Sequence, residues 1–331
     1  MSTHDRYFWA PGGSVPIRDF IKKNLPSIIS EDETPWIWTQ GSEGEKIDPE
    51  RDTSSEKAEA LREAQKHLTK LQERLESIEH DDKIPARAKK GEKGKKAHRE
   101  EAHQETADAL RAISVTYNWT SGKWLFFPRH SDVDRLWATI AQSVAAGPLR
   151  KAGVFLAKVV PSPTSRLEGN EPSHLTCCYV KNVYDEGSVK KVLETLLKSH
   201  GLEPSACKSD LYTLAGIDSN HPTKLRSSLY RPAEMFTREE IATMKEEYTA
   251  SKETNGEKGE KAAYRIIESD SEDDKVVSGG KRKVEQTQPN TAGTPKHKEK
   301  KVATLKKAPS AALKYAENDI FAGPEGDADS D

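Results

Sequence analysis

The chain has 331 residues, of which 34% are hydrophobic and 32% charged, and its mean hydropathy is -0.83. That is too polar for the whole length to fold around one core, so part of it is expected to be solvated helix or disorder. With 52 basic and 54 acidic residues the net charge is -2, so global charge says nothing about nucleic acid and only local clusters can.

In chain order, residues 1–35 form an N-terminal arm that mixes Tyr7, Phe8 and Trp9 with the turn sequence Pro11-Gly12-Gly13. Within it, Ile17 to Leu25 predicts a short helix stopped at Pro26. Trp36-Ile37-Trp38-Thr39 predicts a strand with both tryptophans on one face and Ile37 on the other. A charged helical insert over 41–113 follows. Its first helix, 54–79, carries Leu61, Ala64, Leu68, Leu71, Leu75 and Ile78 at heptad spacing, and its second, His98 to Ile113, carries Ala102, Thr106, Ala109 and Ile113. The Lys- and Gly-rich residues 80–97 read as a flexible linker between them. Together they predict an αα-hairpin that buries its own stripe; a dimerising coiled coil is the other reading, and the stripe is short for one.

The compact domain is assigned to 36–235 around this insert. Lys123 to Pro128 predicts a strand, and Asp132 is the expected N-cap of a helix bearing Val133, Leu136, Trp137, Ile140 and Val144 that ends at Gly147-Pro148. Val154 to Val160 and Leu175 to Val180 predict two further strands, the second placing Cys177 and Cys178 on opposite faces. A helix from Glu186 to His200 turns Val189, Val192, Leu193, Leu196 and Leu197 inward and closes at Gly201. Leu211 to Ile217 and Leu225 to Tyr230 are read as the last strands, giving the order β–β–α–β–β–α–β–β, and the short connections favour antiparallel pairing. Residues 236–249 predict a polar helix, and 250–331 a disordered tail rich in Lys, Glu, Ser and Gly.

The cysteines Cys177, Cys178 and Cys207 are few, odd in number and without C-x-x-C spacing, which fits a reducing compartment and argues against a disulfide framework or a zinc site. Residues 1–30 lack an apolar signal core, and no run approaches the ~18 apolar residues of a membrane span, so a cytoplasmic or nuclear monomer with no membrane role is expected. The sequon Asn118-Trp119-Thr120 is then a chance match. There is no P-loop, GxGxxG, GxSxG or HExxH, and the histidines have no paired metal spacing, so neither catalytic residue, metal nor cofactor is expected. In the tail, Ser269 and Ser271 each precede an acidic residue by three positions and are candidate phosphorylation sites. Lys281-Arg282-Lys283 and the lysines from 296 to 307 are candidates for nuclear import or non-specific nucleic-acid contact.

Several runs carry a family resemblance: Gly122-Lys123-Trp124, Val133-Asp134-Arg135-Leu136-Trp137, Ala157-Lys158-Val159, Cys178-Tyr179 and, most specific, Lys208-Ser209-Asp210-Leu211-Tyr212-Thr213-Leu214-Ala215-Gly216-Ile217. On these residues the chain resembles the basophilic-leukaemia-expressed-protein-like family, whose fold is similar to that of translation initiation factor 4E. The resemblance implies an α+β domain with a curved antiparallel sheet and helices on its convex face. It also implies a helix face that receives a helical partner peptide through a Val and a Trp four apart, matched here by Val133 and Trp137. The initiation factor holds methylated guanine between two loop tryptophans and its phosphates with basic residues. Here Lys158 and Arg166 match the basic pair, whereas after Trp38 there is no tryptophan until Trp119. Trp36, Trp38 and Trp124 are candidate aromatic contacts, but they are read first as strand residues packed in the sheet, since aromatic strand residues more often pack than stack on a ligand. The leading expectation is a non-catalytic protein that binds RNA or a nucleotide or cap-like ligand on the concave face. The alternative is a protein-interaction scaffold that uses the Val133 and Trp137 face, with a degenerate pocket.

Overall fold

The computed structural model describes residues 6–42, 54–88, 91–163 and 174–254. Six strands among these residues form one mixed, mostly antiparallel sheet. They are β1 (Phe8–Trp9), β2 (Ile37–Gln40), β3 (Gly122–Phe126), β4 (Val154–Val159), β5 (Thr176–Val180) and β6 (Ala206–Ser209), in the order β1-β2-β4-β5-β3-β6. Only β1 runs parallel to its neighbour, because the arm returns through the helix α1 (Ile17–Lys23) before entering β2. A register shift between Val154 and Leu156 bends β4 where it meets β5.

Apart from that bend, alternation along the strands divides the side chains between two faces. Ile37, Trp124, Val159, Cys178 and Cys207 face the helices α4 (His130–Ala146) and α6 (Glu186–His200) in the main core. Trp38, Leu125, Leu156, Cys177 and Tyr179 form a second cluster on the opposite face. Helix α6 follows from its sequence almost without tertiary help. Asp185 caps it by accepting from the Ser188 N–H, its five inward residues are buried, and Gly201 ends it in the left-handed conformation at φ 61°. Burial of each of those apolar side chains contributes roughly 1.5–3 kcal/mol relative to exposure.

Helices α2 (Ser55–His80) and α3 (Lys95–Thr116) form the expected hairpin, with α3 starting inside the segment read as linker. Its stripe is not buried on itself alone. Leu68, Leu71, Leu110 and Ile113 share a cluster with Trp119, Leu211, Tyr212, Ile217 and Leu225. Gln65 donates to the Ala215 carbonyl, and Ser114 and Tyr184 share a hydrogen bond of 3.0 Å. The hairpin is therefore a packed part of the molecule.

The C-terminal strand assignments are corrected. Leu211–Ile217 is not a strand. Asp210–Leu214 is the short helix α7, capped by Ser209 Oγ on the Leu211 N–H, and Gly216 turns the chain at φ 76°. The strand that precedes it, β6, lies between Gly201 and Leu211, where the sequence predicts no element. Leu225–Tyr230 is not a strand either; it meets β6 at an isolated bridge between Tyr230 and Cys207, beside which the Leu229 N–H donates to the Cys207 carbonyl. Asp132 is not the N-cap of α4 but lies in its first turn, where a carboxylate also favours the helix dipole. After Gly147 the chain makes the short helix α5 (Pro148–Ala152), and α8 (Pro232–Met235) leads into the polar helix α9 (Arg238–Thr254). Among the described residues, no helix is long and apolar enough to cross a membrane.

Candidate functional site

The sheet face away from α4 and α6 combines aromatic rings with buried lysines. Strand alternation puts Trp38 on this face from β2, with Trp36 beside it just ahead of the strand, Lys158 from β4, Tyr179 from β5, Lys123 from β3 and Lys208 from β6. Lys158 stands opposite Trp38 across the β2–β4 ladder, and Lys123 stands opposite both Tyr179 and Lys208.

Lys158 is 1% exposed, and its ammonium lies 3.5 Å from the Trp36 ring centre, 5.1 Å from that of Trp38 and 5.8 Å from that of Tyr179. The rings compensate part of its desolvation, since an aromatic face attracts a cation most strongly away from water. Phe8 and Tyr179 stack on either flank of Trp38, at 6.1 and 6.4 Å. Trp36 is half-buried and, with the half-buried Phe155, marks where the cluster meets solvent.

At the other end Lys123 forms a buried ion pair with Asp210, Nζ to Oδ1 3.1 Å, and its ammonium lies 5.2 Å from the Tyr179 ring centre. Ser121 Oγ donates to the second carboxylate oxygen of Asp210 at 2.6 Å. A lysine directly across a ladder from another lysine is unfavourable by itself, and the carboxylate at the end of β6 offsets that repulsion. Burial and the Asp210 charge both raise the Cys207 thiol well above its ordinary range, so it stays protonated and unreactive. Among the described residues, no cluster of His, Cys, Asp and Glu could hold a metal ion.

The family model described as basophilic leukemia-expressed protein Bles03 matches residues 3–213. The chain belongs to that family. The matched span contains all six strands, the hairpin and every residue of the aromatic–lysine face, and ends inside α7.

The structure brings together three of the residues singled out from sequence: Trp36, Trp38 and Lys158. Trp124 does not join them. It points to the opposite face and is fully buried beneath the helices. Val133 and Trp137, the expected partner anchors, are also fully buried. Helix α4 is rotated so that Val133, Trp137, Ile140 and Val144 form its sheet-facing stripe, and Leu136, expected inward, is only partly buried. The arm also packs on α4 through α1, and the Ser27 N–H and Oγ both donate to Asp134. Arg166, Ser269, Ser271 and the basic tail clusters lie outside the described residues.

Lys123, Lys208, Asp210 and Tyr179 were not read as site residues, although they sit in the runs that carry the family resemblance. A usable signal was present: Lys123 alternates with Leu125, and Lys158 with Leu156, so both lysines share an inward strand face with apolar residues.

Proposed function

We propose that the protein is a non-catalytic binding protein for RNA or a phosphate-bearing nucleotide, and that the aromatic–lysine face of the sheet is its site. The observation that carries this reading is Lys158, held over Trp36 and beside Trp38 and Tyr179, with Lys123 and Lys208 on the same face. Single-stranded nucleic acid is bound by this pairing of stacking surfaces with ammonium groups, because every base has a π face and every nucleotide a phosphate. A fold of the initiation factor 4E kind is part of the proposal, supported by the one-sided helices and the aromatic opposite face. The ligand enters at the Trp36 edge, where the cluster reaches solvent, and the face opens to let its phosphates meet the lysines. The scaffold alternative draws no support from Val133 and Trp137, which offer no exposed surface. Absence of a helix able to span a membrane among the described residues is compatible with a cytoplasmic or nuclear site of action.

The test is tryptophan fluorescence of the full chain titrated with GTP and with a short single-stranded RNA, on wild type and on Lys158→Met. Saturable quenching in wild type, weakened at least about tenfold in the variant, is expected from loss of one charge-assisted phosphate contact. A wild-type chain shown by circular dichroism to be folded, yet giving no quenching with either probe, would remove the proposal.

A further inference from the structure

We propose that His130 and His174 form a proton-operated latch at the Trp36 edge of the sheet, closed at neutral pH and released in acid. The inference does not depend on what the aromatic–lysine face binds. His174 stands at the entry to β5 and is 0% exposed. Its N–H donates to the Pro128 carbonyl at 3.0 Å, and its ring Nδ1 bonds the Val160 carbonyl at 2.9 Å. Its Nε2 lies 3.2 Å from Nδ1 of His130, the half-buried first residue of α4, with the two rings 25° from parallel. One histidine thus ties the end of β4 to the β3–α4 connection and to α4 itself. The register that pairs Ile37 with Val159 brings Trp36 to this end of the sheet. The arm is fastened at the same place. The Ser162 N–H donates to the Ile29 carbonyl and its Oγ to those of Pro26 and Ser27, while Ser27 donates twice to Asp134 of α4.

Hydrogen-bond chemistry limits the protons this pair can hold. A carbonyl oxygen only accepts, so His174 Nδ1 carries a hydrogen. With His174 neutral, its Nε2 is bare and His130 must donate from Nδ1. One added proton still leaves a donor facing an acceptor, on either ring. A second sets N–H against N–H, so the bond is lost and two cations stand side by side around a ring shielded from water, where like charges repel strongly. Relief requires the His174 ring to leave its place and give up the Val160 carbonyl, and the β4–β5 ladder then frays from this end. Burial lowers the His174 pKa from 6.5; the Val160 bond opposes that, His130 adds to it and Asp134 opposes it. The released ring binds its proton more readily than the latched one, so release is favoured as the pH falls below 6.5. Other charges on the surrounding elements have their own contacts. Asp132 accepts from Ser131 and Arg135, Glu33 of the arm accepts from Tyr7, and Lys158 on β4 is directed at the aromatic rings. Glu31 of the arm gives its N–H to the Ser162 carbonyl, and Arg129 beside His130 is exposed.

The experiment is amide hydrogen exchange of the full chain at about pH 7.5 and about pH 5, corrected for the intrinsic effect of pH on exchange, on wild type and His130→Gln. In wild type, protection over residues 26–36, 156–163 and 174–180 is expected to fall at least about tenfold in acid, the change that one pH unit of unmatched protonation produces. The helix α2, remote from the pair in sequence, should keep its protection. Glutamine at 130 can donate to a neutral His174 or accept from a charged one, so the variant should lose most of the acid effect. No local loss in wild type, or a loss of the same size in His130→Gln, overturns the inference. Imidazole nitrogen NMR of wild type at neutral pH supplies a test that needs no variant. His174 should carry its hydrogen on Nδ1, and a hydrogen on Nε2 alone would overturn the latch even where His130→Gln fails to fold.

Discussion

His200, the last residue of α6, shows how burial sets the chemistry of one side chain. Ser143 Oγ accepts from the Leu149 N–H at 2.9 Å and shares a hydrogen bond of 2.8 Å with His200 Nε2. Burial disfavours the charged ring and pushes its pKa down from 6.5 to about 4. A base whose folded pKa is depressed is protonated in the unfolded chain first, so the unfolded state gains protons as the pH falls between 6.5 and 4. Stability should therefore be complete above that window and decline through it, by about 3 kcal/mol from this group at the acid end. His174, whose pKa is lowered by burial, acts with the same sign. Urea midpoints measured from neutral to acid pH should fall, and His200→Gln should flatten part of the slope. A slope identical in the variant would show that burial does not depress the His200 pKa.

The thiols make a second test at the same scale. Cys177, Cys178 and Cys207 are fully buried, and burial raises the pKa of Cys178 and Cys207. Because the thiolate is the reactive form, an aromatic disulfide reagent is expected to titrate no thiol in the native protein and all three in denaturant. Rapid labelling of the native chain would mean that the sheet opens far more readily than its packing implies.

Among elements, legibility followed length. Helix α6 and the hairpin were readable because fifteen or more residues repeat one period, with a cap at one end and a glycine at the other in α6. Helix α7 has only five residues, and Leu211-Tyr212-Thr213-Leu214 looks β-like in composition. Its flanks, Ser209-Asp210 as cap and Gly216 as stop, carried the correct signal and outweighed composition. Strand β6, with four residues and one small and two polar side chains, had no apolar pattern to read and is fixed by its ladder with β3. The site was half legible for the same reason. Alternation put Trp36, Trp38 and Lys158 on strands, but only the strand order shows that Tyr179, Lys123 and Lys208 share their face. The hairpin's role is testable through Leu110, buried where α2, α3 and the 211–225 segment meet. Leu110→Ala is expected to cost about 2–5 kcal/mol, seen as a lower urea midpoint with unchanged cooperativity. A loss confined to hairpin signals, with the sheet melting as before, would mean that the hairpin folds as a separate unit.

For the whole molecule, the family match ends at Thr213, but the packing does not. Helix α9 lies along α6 and buries Ile241 and Met244 in the main core. The Tyr248 ring lies so close to Gly201 that a Cβ there would collide with it, and Lys245 pairs with Glu203 at 2.9 Å. Gly201 thus serves two needs, a left-handed turn and room for a ring from α9. If α9 is an integral layer, a chain ending after Phe236 should lose about 3 kcal/mol or more relative to one ending after Thr254, from exposure of two apolar side chains and the α6 surface beneath them. Gly201→Ala should mimic part of that loss, about 1–3 kcal/mol, through the strained backbone and the displaced ring. In the chain ending after Phe236 the displaced-ring part vanishes, so the alanine there should cost less. Urea melts of both lengths, each with and without the substitution, form a double-mutant cycle. A coupling near zero would show that α9 does not rest on the α6 terminus in solution. A double change that costs less than the sum of the two single ones would make the helix beyond the matched span a structural part of the domain that carries the aromatic–lysine face.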